Sequence, residues 1–284
     1  MGSHYVQQAL LRHFEDPAKP DFIWTYIRDE EPRLLPIENV AQSPGFYDAK
    51  TEEELNKYVE GPTTPLLDAL RRGETLDVDE RAMVAMYAAT SIKRVPRTRE
   101  RAKAAAPIVL EQVVERLRAE VPDLAGGDPA RIEKLSAELD AAHQKFRAAT
   151  PAAVLHRAND PRPTHEQVHA IRDMAWRLLV ATPPEMFLTS DNPVFYFESL
   201  GIGNRESEFA FPLSPKHCLH GCRQPVRDSG LEIRQAERSL VHEINRRMAH
   251  NATKMLFANR RAEFPFILLR KGQNHFLSRI NWTY

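Results

Sequence analysis

Between Thr98 and Thr150 the chain carries two stretches of apolar residues in a 3.6-residue rhythm, parted by the loop PDLAGGDP. That arrangement folds naturally only as two antiparallel helices. In Thr98–Glu120 the rhythm passes through Ile108, Val109, Gln112, Val113 and Leu117, with Pro107 expected to kink or restart the helix. In Pro129–Thr150 it passes through Ile132, Leu135, Leu139, Ala142 and Phe146. Both outer faces carry alternating charge, the ordinary dress of a solvated helix. Helical spacing recurs upstream. A Thr51–Glu54 capping box leads into Leu55, Tyr58 and Val59, Pro65 opens a helix that Gly73 closes, and Asp79–Lys93 follows. Downstream, Thr164 caps a helix through Trp176 and Leu179, and His242–Asn259 forms another.

Strand-forming pieces lie on both sides of this helical middle. After a brief helix at Val6–Phe14 comes the β-branched and aromatic run Phe22–Asp29; MFLTSD (186–191), FAFPLS (209–214) and HCLHGC (217–222) follow late in the chain. The terminal FPFILL reads as strand or buried coil. The expected fold is therefore α+β and mostly α-helical. A small antiparallel or mixed sheet would combine 22–28 with strands near 186–190, 209–214 and 217–222. The chain reads as one domain over 1–284, with 98–150 as a helical-hairpin subdomain.

Composition narrows the function classes. With 42% apolar and 27% charged residues in 284, disordered, collagen-like and coiled-coil classes are excluded. The 39 basic and 39 acidic residues cancel, so overall charge draws the chain toward neither nucleic acid nor membrane. Two cysteines make no disulfide framework and fit a reduced compartment. No apolar run reaches the roughly 18–20 residues of a membrane span, and the first residues lack a signal-peptide core. A cytoplasmic protein without a membrane partner is expected.

His165-Glu166-Gln167-Val168-His169 matches HExxH, which on a helix sets two imidazoles one turn apart with a glutamate to activate zinc-bound water. It stands, however, in the first turn after Pro163, without apolar flanks and without an evident third ligand. A solvated helix start is the plainer reading, with a zinc metallopeptidase as the weaker alternative. Cys218, His220 and Cys222 would share one face of a strand, but C-x₃-C is no standard metal knuckle, and small buried cysteines are commoner. Gly201 and Gly203 lack the third glycine of a dinucleotide fingerprint, Glu206 standing in its place. Neither a Walker A nor a G-x-S-x-G sequence occurs. The segment Lys93–Lys103 holds six basic residues and one acid. It can bind an anion through arginine forks or serve as a helix start whose arginine stems cover the core.

Several segments together resemble a known family. Ser3–Phe14 (SHYVQQALLRHF), followed by Trp24-Thr25-Tyr26, resembles the start of the bacterial domain-of-unknown-function 4238 family, whose members open with a His-Tyr-Val-Pro-Gln-like motif running into a Leu-Arg-x-Phe helix. Leu188–Val194 (LTSDNPV) resembles its Thr-x-Asp-Asn-Pro-Val signature, and Phe211–Pro215 the strand after it. Glu243–Arg247 is similar to the start of its late helix, and Ile92–Arg97 to its arginine-rich segment. Gln7 stands where the family usually has proline. The resemblance implies a fold and no activity.

The matched positions are polar beyond what packing needs. His4, Asp191 and Asn245 are the expected catalytic set, with Gln8, Arg94, Arg97, Ser190 and Asn192 binding substrate. His4 would act as general base or acid, Asp191 would orient it or hold a metal, and Arg94 would stabilise an anion. A buried Asp191 requires a donor beside it, for which Arg94 or His4 is expected. The chemistry fits hydrolysis or recognition of a phosphate-bearing small molecule or a nucleic acid, as in a nuclease-like effector. A divalent metal is compatible with it, and the cofactor and oligomeric state stay open. The alternative is a non-catalytic binding or regulatory module in which Ser190–Pro193 caps a turn.

Overall fold

The computed structural model describes residues 2–44, 47–223 and 230–270. The chain divides into two compact units, Met1–Val95 with Pro161–Tyr284, and Pro96–Asp160. The first unit opens with β1 (Gly2–His4), α1 (Gln8–Arg12), β2 (Phe22–Ile27), β3 (Arg33–Pro36), a 3-10 turn (Ile37–Asn39) and β4 (Gln42–Pro44). Next, α2 (Ala49–Leu55) runs through a π turn (Asn56–Glu60) into α3 (Gly61–Arg71), and α4 (Val78–Lys93) follows. The second unit is a hairpin of α5 (Pro96–Leu124) and α6 (Pro129–Asn159). The chain then returns as α7 (His165–Arg172), β5 (Ala175–Ala181), β6 (Thr189–Ser190), β7 (Phe195–Tyr196), β8 (Phe209–Pro212), β9 (His217–Cys222) and β10 (Glu232–Ala236). It closes with α8 (Arg238–Asn251), β11 (Met255–Ala258) and α9 (Glu263–Arg270). The architecture is α+β and mostly helical. No helix among the described residues is long and apolar enough to cross a membrane.

The strands make two main sheets, where one was expected. β2 does join β6, but through β11, in the order β3-β2-β11-β6, and every pairing is antiparallel. β8 and β9 belong instead to a five-stranded sheet, β10-β5-β9-β8-β7, in which only β10 lies parallel to its neighbour. A third pair, β1 with β4, sets His4 opposite Gln42.

The five-stranded sheet lies between two cores. Along β5, Trp176, Leu178 and Val180 enter one core, while Leu179 and Ala181 enter the other. The first core is completed by Phe14, Val84, Tyr87 and Phe211; the second by Phe187, Val241, Ile244 and Met248. A strand buried on both faces is apolar nearly throughout, here with Arg177 as the exception, bonded to Glu232 and Cys222, which is why AWRLLVA reads equally as helix. The capped helix at Thr164 in fact stops at Arg172, and the Trp176 indole N–H donates to the Ile171 carbonyl at 2.9 Å across the break. Gly221 on β9 allows the Phe209 ring to lie directly over the backbone, where a Cβ would collide with it. Truncating Trp176 or Phe209 to alanine would cost about 3–5 kcal/mol.

Three other boundaries differ from expectation for local reasons. The cap of α2 is Asp48, whose carboxylate accepts the Thr51 N–H at 2.7 Å, so Thr51 lies inside the helix. The late helix ends at Asn251 and the chain turns into β11, because Asp191 draws the N–H groups of Thr253, Lys254 and Met255 to itself. FPFILL lies within helix α9.

Candidate functional site

His4 ends β1, and α1 begins four residues later, so Gln8 lies one turn on and its amide meets the imidazole Nε2 at 2.7 Å. Arg12 donates to the Gln8 carbonyl oxygen at 3.2 Å and holds that amide in place. The C-cap of α4 supplies Arg94. Its guanidinium donates to the Glu60 carboxylate on the π turn and to the His4 carbonyl oxygen, with the Arg94 and Glu60 side chains only 8% and 13% exposed. His4, Gln8, Glu60 and Arg94 line an open cleft of about 540 Å³, together with Glu52, Glu53 and Asn56. Burial lowers the His4 imidazole below its ordinary value; the Val40 backbone and Glu52 draw it up, and Arg94 pushes it down. His4 is therefore neutral at pH 7.

Asp191 takes no part in this cleft. It is 1% exposed, and its carboxylate accepts the N–H groups of Thr253 at 2.8 Å, Lys254 at 2.7 Å and Met255 at 3.1 Å. Burial pushes its carboxyl up to about 6 against the pull of those three bonds. Asn245 also serves backbone: Oδ1 accepts the Leu188 N–H at 2.9 Å and Nδ2 donates to the Met186 carbonyl at 2.8 Å. Asn192 donates to the Asn251 carbonyl, and Asn251 returns bonds to the carbonyls of Asn192 and Val194. Ser190 Oγ donates to the Asn192 carbonyl and accepts its N–H. These side chains weld β6, the end of α8 and the start of β11 into one piece.

The expectation that His4, Arg94, Asp191 and Asn245 share one cleft is corrected accordingly. His4, Gln8 and Arg94 come together; Asn245 instead lines a separate pocket of about 180 Å³ beside Glu185 and His242. The donors beside Asp191 are backbone N–H groups rather than Arg94 or His4, because the turn from Ala252 into β11 leaves three buried main-chain donors that need an acceptor there. The N-terminal and Asp-Asn-Pro segments do meet, through Tyr5: burial and the nearby Asp191 charge both raise its phenol. Arg97 lies on the first turn of α5, in the other unit.

His165, Glu166 and His169 are exposed on the first turns of α7, with the two rings 6.4 Å apart. Cys218, His220 and Cys222 are all buried on β9; Cys222 Sγ accepts from Arg177 at 2.8 Å, and burial pushes the Cys218 thiol up. No group of three or more His, Cys, Asp or Glu side chains able to hold a metal occurs among the described residues.

Sequence reasoning missed two polar groupings. Glu52, Asn56 and Glu60 recur at four-residue spacing, the signal of one helical face, and with Glu53 they form the acidic wall of the cleft. The other grouping is fully buried. Arg247 on α8 bonds Glu208 at 3.0 Å and Glu243 at 3.3 Å, His220 approaches Glu208 at 3.4 Å, and Phe195 and Phe197 lie under the guanidinium. Burial would raise the Glu208 carboxyl, but His220 and Arg247 hold it below its usual value. The Glu243/Arg247 pair was visible at i,i+4; its closure by Glu208 and His220 depends on chain separation that sequence does not display.

A sequence model of the family described as "Protein of unknown function (DUF4238)" matches residues 3–262. No curated protein and no solved structure matches the chain.

Proposed function

We propose, from the premise that the chain belongs to the DUF4238 family of proteins of unknown function, that it is a non-catalytic recognition module whose ligand enters the His4 cleft carrying cationic or hydrogen-bond-donating groups. Cleft charge carries this reading. Three carboxylates, Glu52, Glu53 and Glu60, stand against one guanidinium, Arg94, which Glu60 and the His4 carbonyl already engage. A surplus of two negative charges is left. A phosphate brought there would meet Glu52 and Glu53 without a spare cation in the lining, and each like-charge pair at about 5 Å costs roughly 3 kcal/mol at an effective dielectric constant near 20. An amine or guanidine would instead find carboxylates and the Gln8 and Asn56 amide oxygens as acceptors.

A second reading, binding or hydrolysis of a phosphate ester, is favoured by one observation. His4 is neutral and lines the cleft beside Arg94, where release of Nε2 from the Gln8 amide N–H would free a general base. In that reading Asp191 and Asn245 shape the site from a distance and touch no substrate.

Calorimetric titration of the whole protein separates the two. Arginine and spermidine should bind, and the double substitution Glu52→Gln with Glu53→Gln should weaken them about tenfold, equal to about 1.4 kcal/mol. Pyrophosphate binding that persists or strengthens in that variant, with no binding of either amine, would overturn the recognition of cations and favour the phosphate reading.

A further inference from the structure

The α5–α6 hairpin buries little for its size: among its described side chains only Val114, Val121 and Ala125 are buried apolar residues. Meanwhile Val109, Val113, Leu117 and Leu124 are 53%, 49%, 40% and 61% exposed on α5 alone. At 100° per residue, Val109, Val113, Leu117 and Leu124 fall within about 80° of one another, continued toward the helix start by Ala102 and Ala106; Glu120 stands in the same sector, bonded to Arg116 at 3.1 Å. This band flanks the seam formed by Val114 and Val121. The apolar face of α5 is thus wider than one partner helix covers, and pairs of helices in that condition complete themselves as larger bundles.

Charge along the same helix says what the partner is. Residues 97–103 hold four basic residues and one acidic; residues 111–123 hold four acidic and two basic. The helix is therefore positive at one end of the band and negative at the other. A second α5 laid antiparallel about a twofold axis at Val113 sets Val113 against Val113, Val109 against Leu117 and Ala102 against Leu124, and brings Arg101 to Asp123 on the same flank of the contact. A parallel copy would set like charges together. Charge reversal about the middle of the helix makes this face complementary to itself in the antiparallel sense, as an isologous contact needs, although Glu111 and Arg118 also meet His143 and Asp140 on α6. We infer that this face of α5 is the contact surface for a second copy of the chain, packed antiparallel to form a four-helix bundle. The inference does not depend on the reading of the His4 cleft.

Light scattering and sedimentation equilibrium on the full chain test it. The wild type should sediment at twice the 32.5 kDa chain mass, with a monomer fraction that grows on dilution. Val113→Asp with Leu117→Asp should give a monomer with unchanged helical circular dichroism, since both positions are exposed in the single chain. Asp123→Arg should weaken association about tenfold at low salt, and Arg101→Glu added to it should restore the wild-type constant. These surface charge variants keep the test alive even where the aspartates disturb folding. A wild type that stays monomeric at every concentration, a dimer indifferent to Val113→Asp and Leu117→Asp, or charge variants that fail to restore would each overturn it.

Discussion

The weld at Asp191 and the cleft at His4 are built from the same kinds of residue and put them to opposite use. At the weld, Asp191, Asn192, Asn245 and Asn251 are all buried, and the bonds they make run to main-chain groups. At the cleft, Glu52 and Glu53 reach an open space and Arg94 is the one side chain deeply buried. The difference teaches that a polar motif acquires chemistry only where capacity for hydrogen bonds is left over. A carboxylate that accepts three N–H bonds has been spent on the fold.

Breaking the weld should produce the largest effect. Asp191→Asn replaces one acceptor oxygen by an N–H₂ that faces backbone donors, and should lower stability by about 3–4 kcal/mol in denaturant unfolding. Next comes Asn245→Ala, which strands the Leu188 N–H and the Met186 carbonyl and should cost about 2 kcal/mol. Both variants that still fold should keep the wild-type ligand affinity of the cleft. A loss of affinity out of proportion to the loss of stability would show that the weld and the cleft act as one site.

The same contrast explains what could be read in advance. The hairpin, the Thr164 cap and the strand at Phe22–Ile27 follow from local rules of periodicity, capping and β-branching. β5 and β11 were hidden because their identity is set by partners far along the chain. Ala175–Ala181 is a strand only because β9 and β10 pair with its edges while a core takes the side chains on each face, and Met255–Ala258 leaves the helical pattern of α8 only because Asp191 is waiting for its N–H groups. Motif membership did pick out residues that matter to the fold, but type and position alone could not tell a spent Asp191 from an available Glu52. That distinction is a count of neighbours.

The smaller effects sharpen the contrast from the cleft side. Glu52→Gln with Glu53→Gln should change stability by no more than about 1 kcal/mol, since Glu60 and the His4 carbonyl make the bonds to the buried Arg94 and Glu52 reaches it through charge alone, while altering amine binding. A penalty equal to that of Asp191→Asn would erase the distinction between weld and cleft. The smallest effect concerns pH. Burial leaves the folded-state value of His4 below that of the unfolded chain, so the unfolded chain binds the proton first as pH falls. The contribution of His4 to stability is present above about pH 6.5 and is lost on acidification below it. His4→Gln cannot take up that proton, so its melting temperature should fall less between pH 7 and pH 5 than that of the wild type, by about a degree for a half-buried ring screened by solvent. Parallel melting curves for the two proteins over that range would mean that His4 is equally easy to protonate folded and unfolded. The cleft would then hold the imidazole no more neutral than the unfolded chain does.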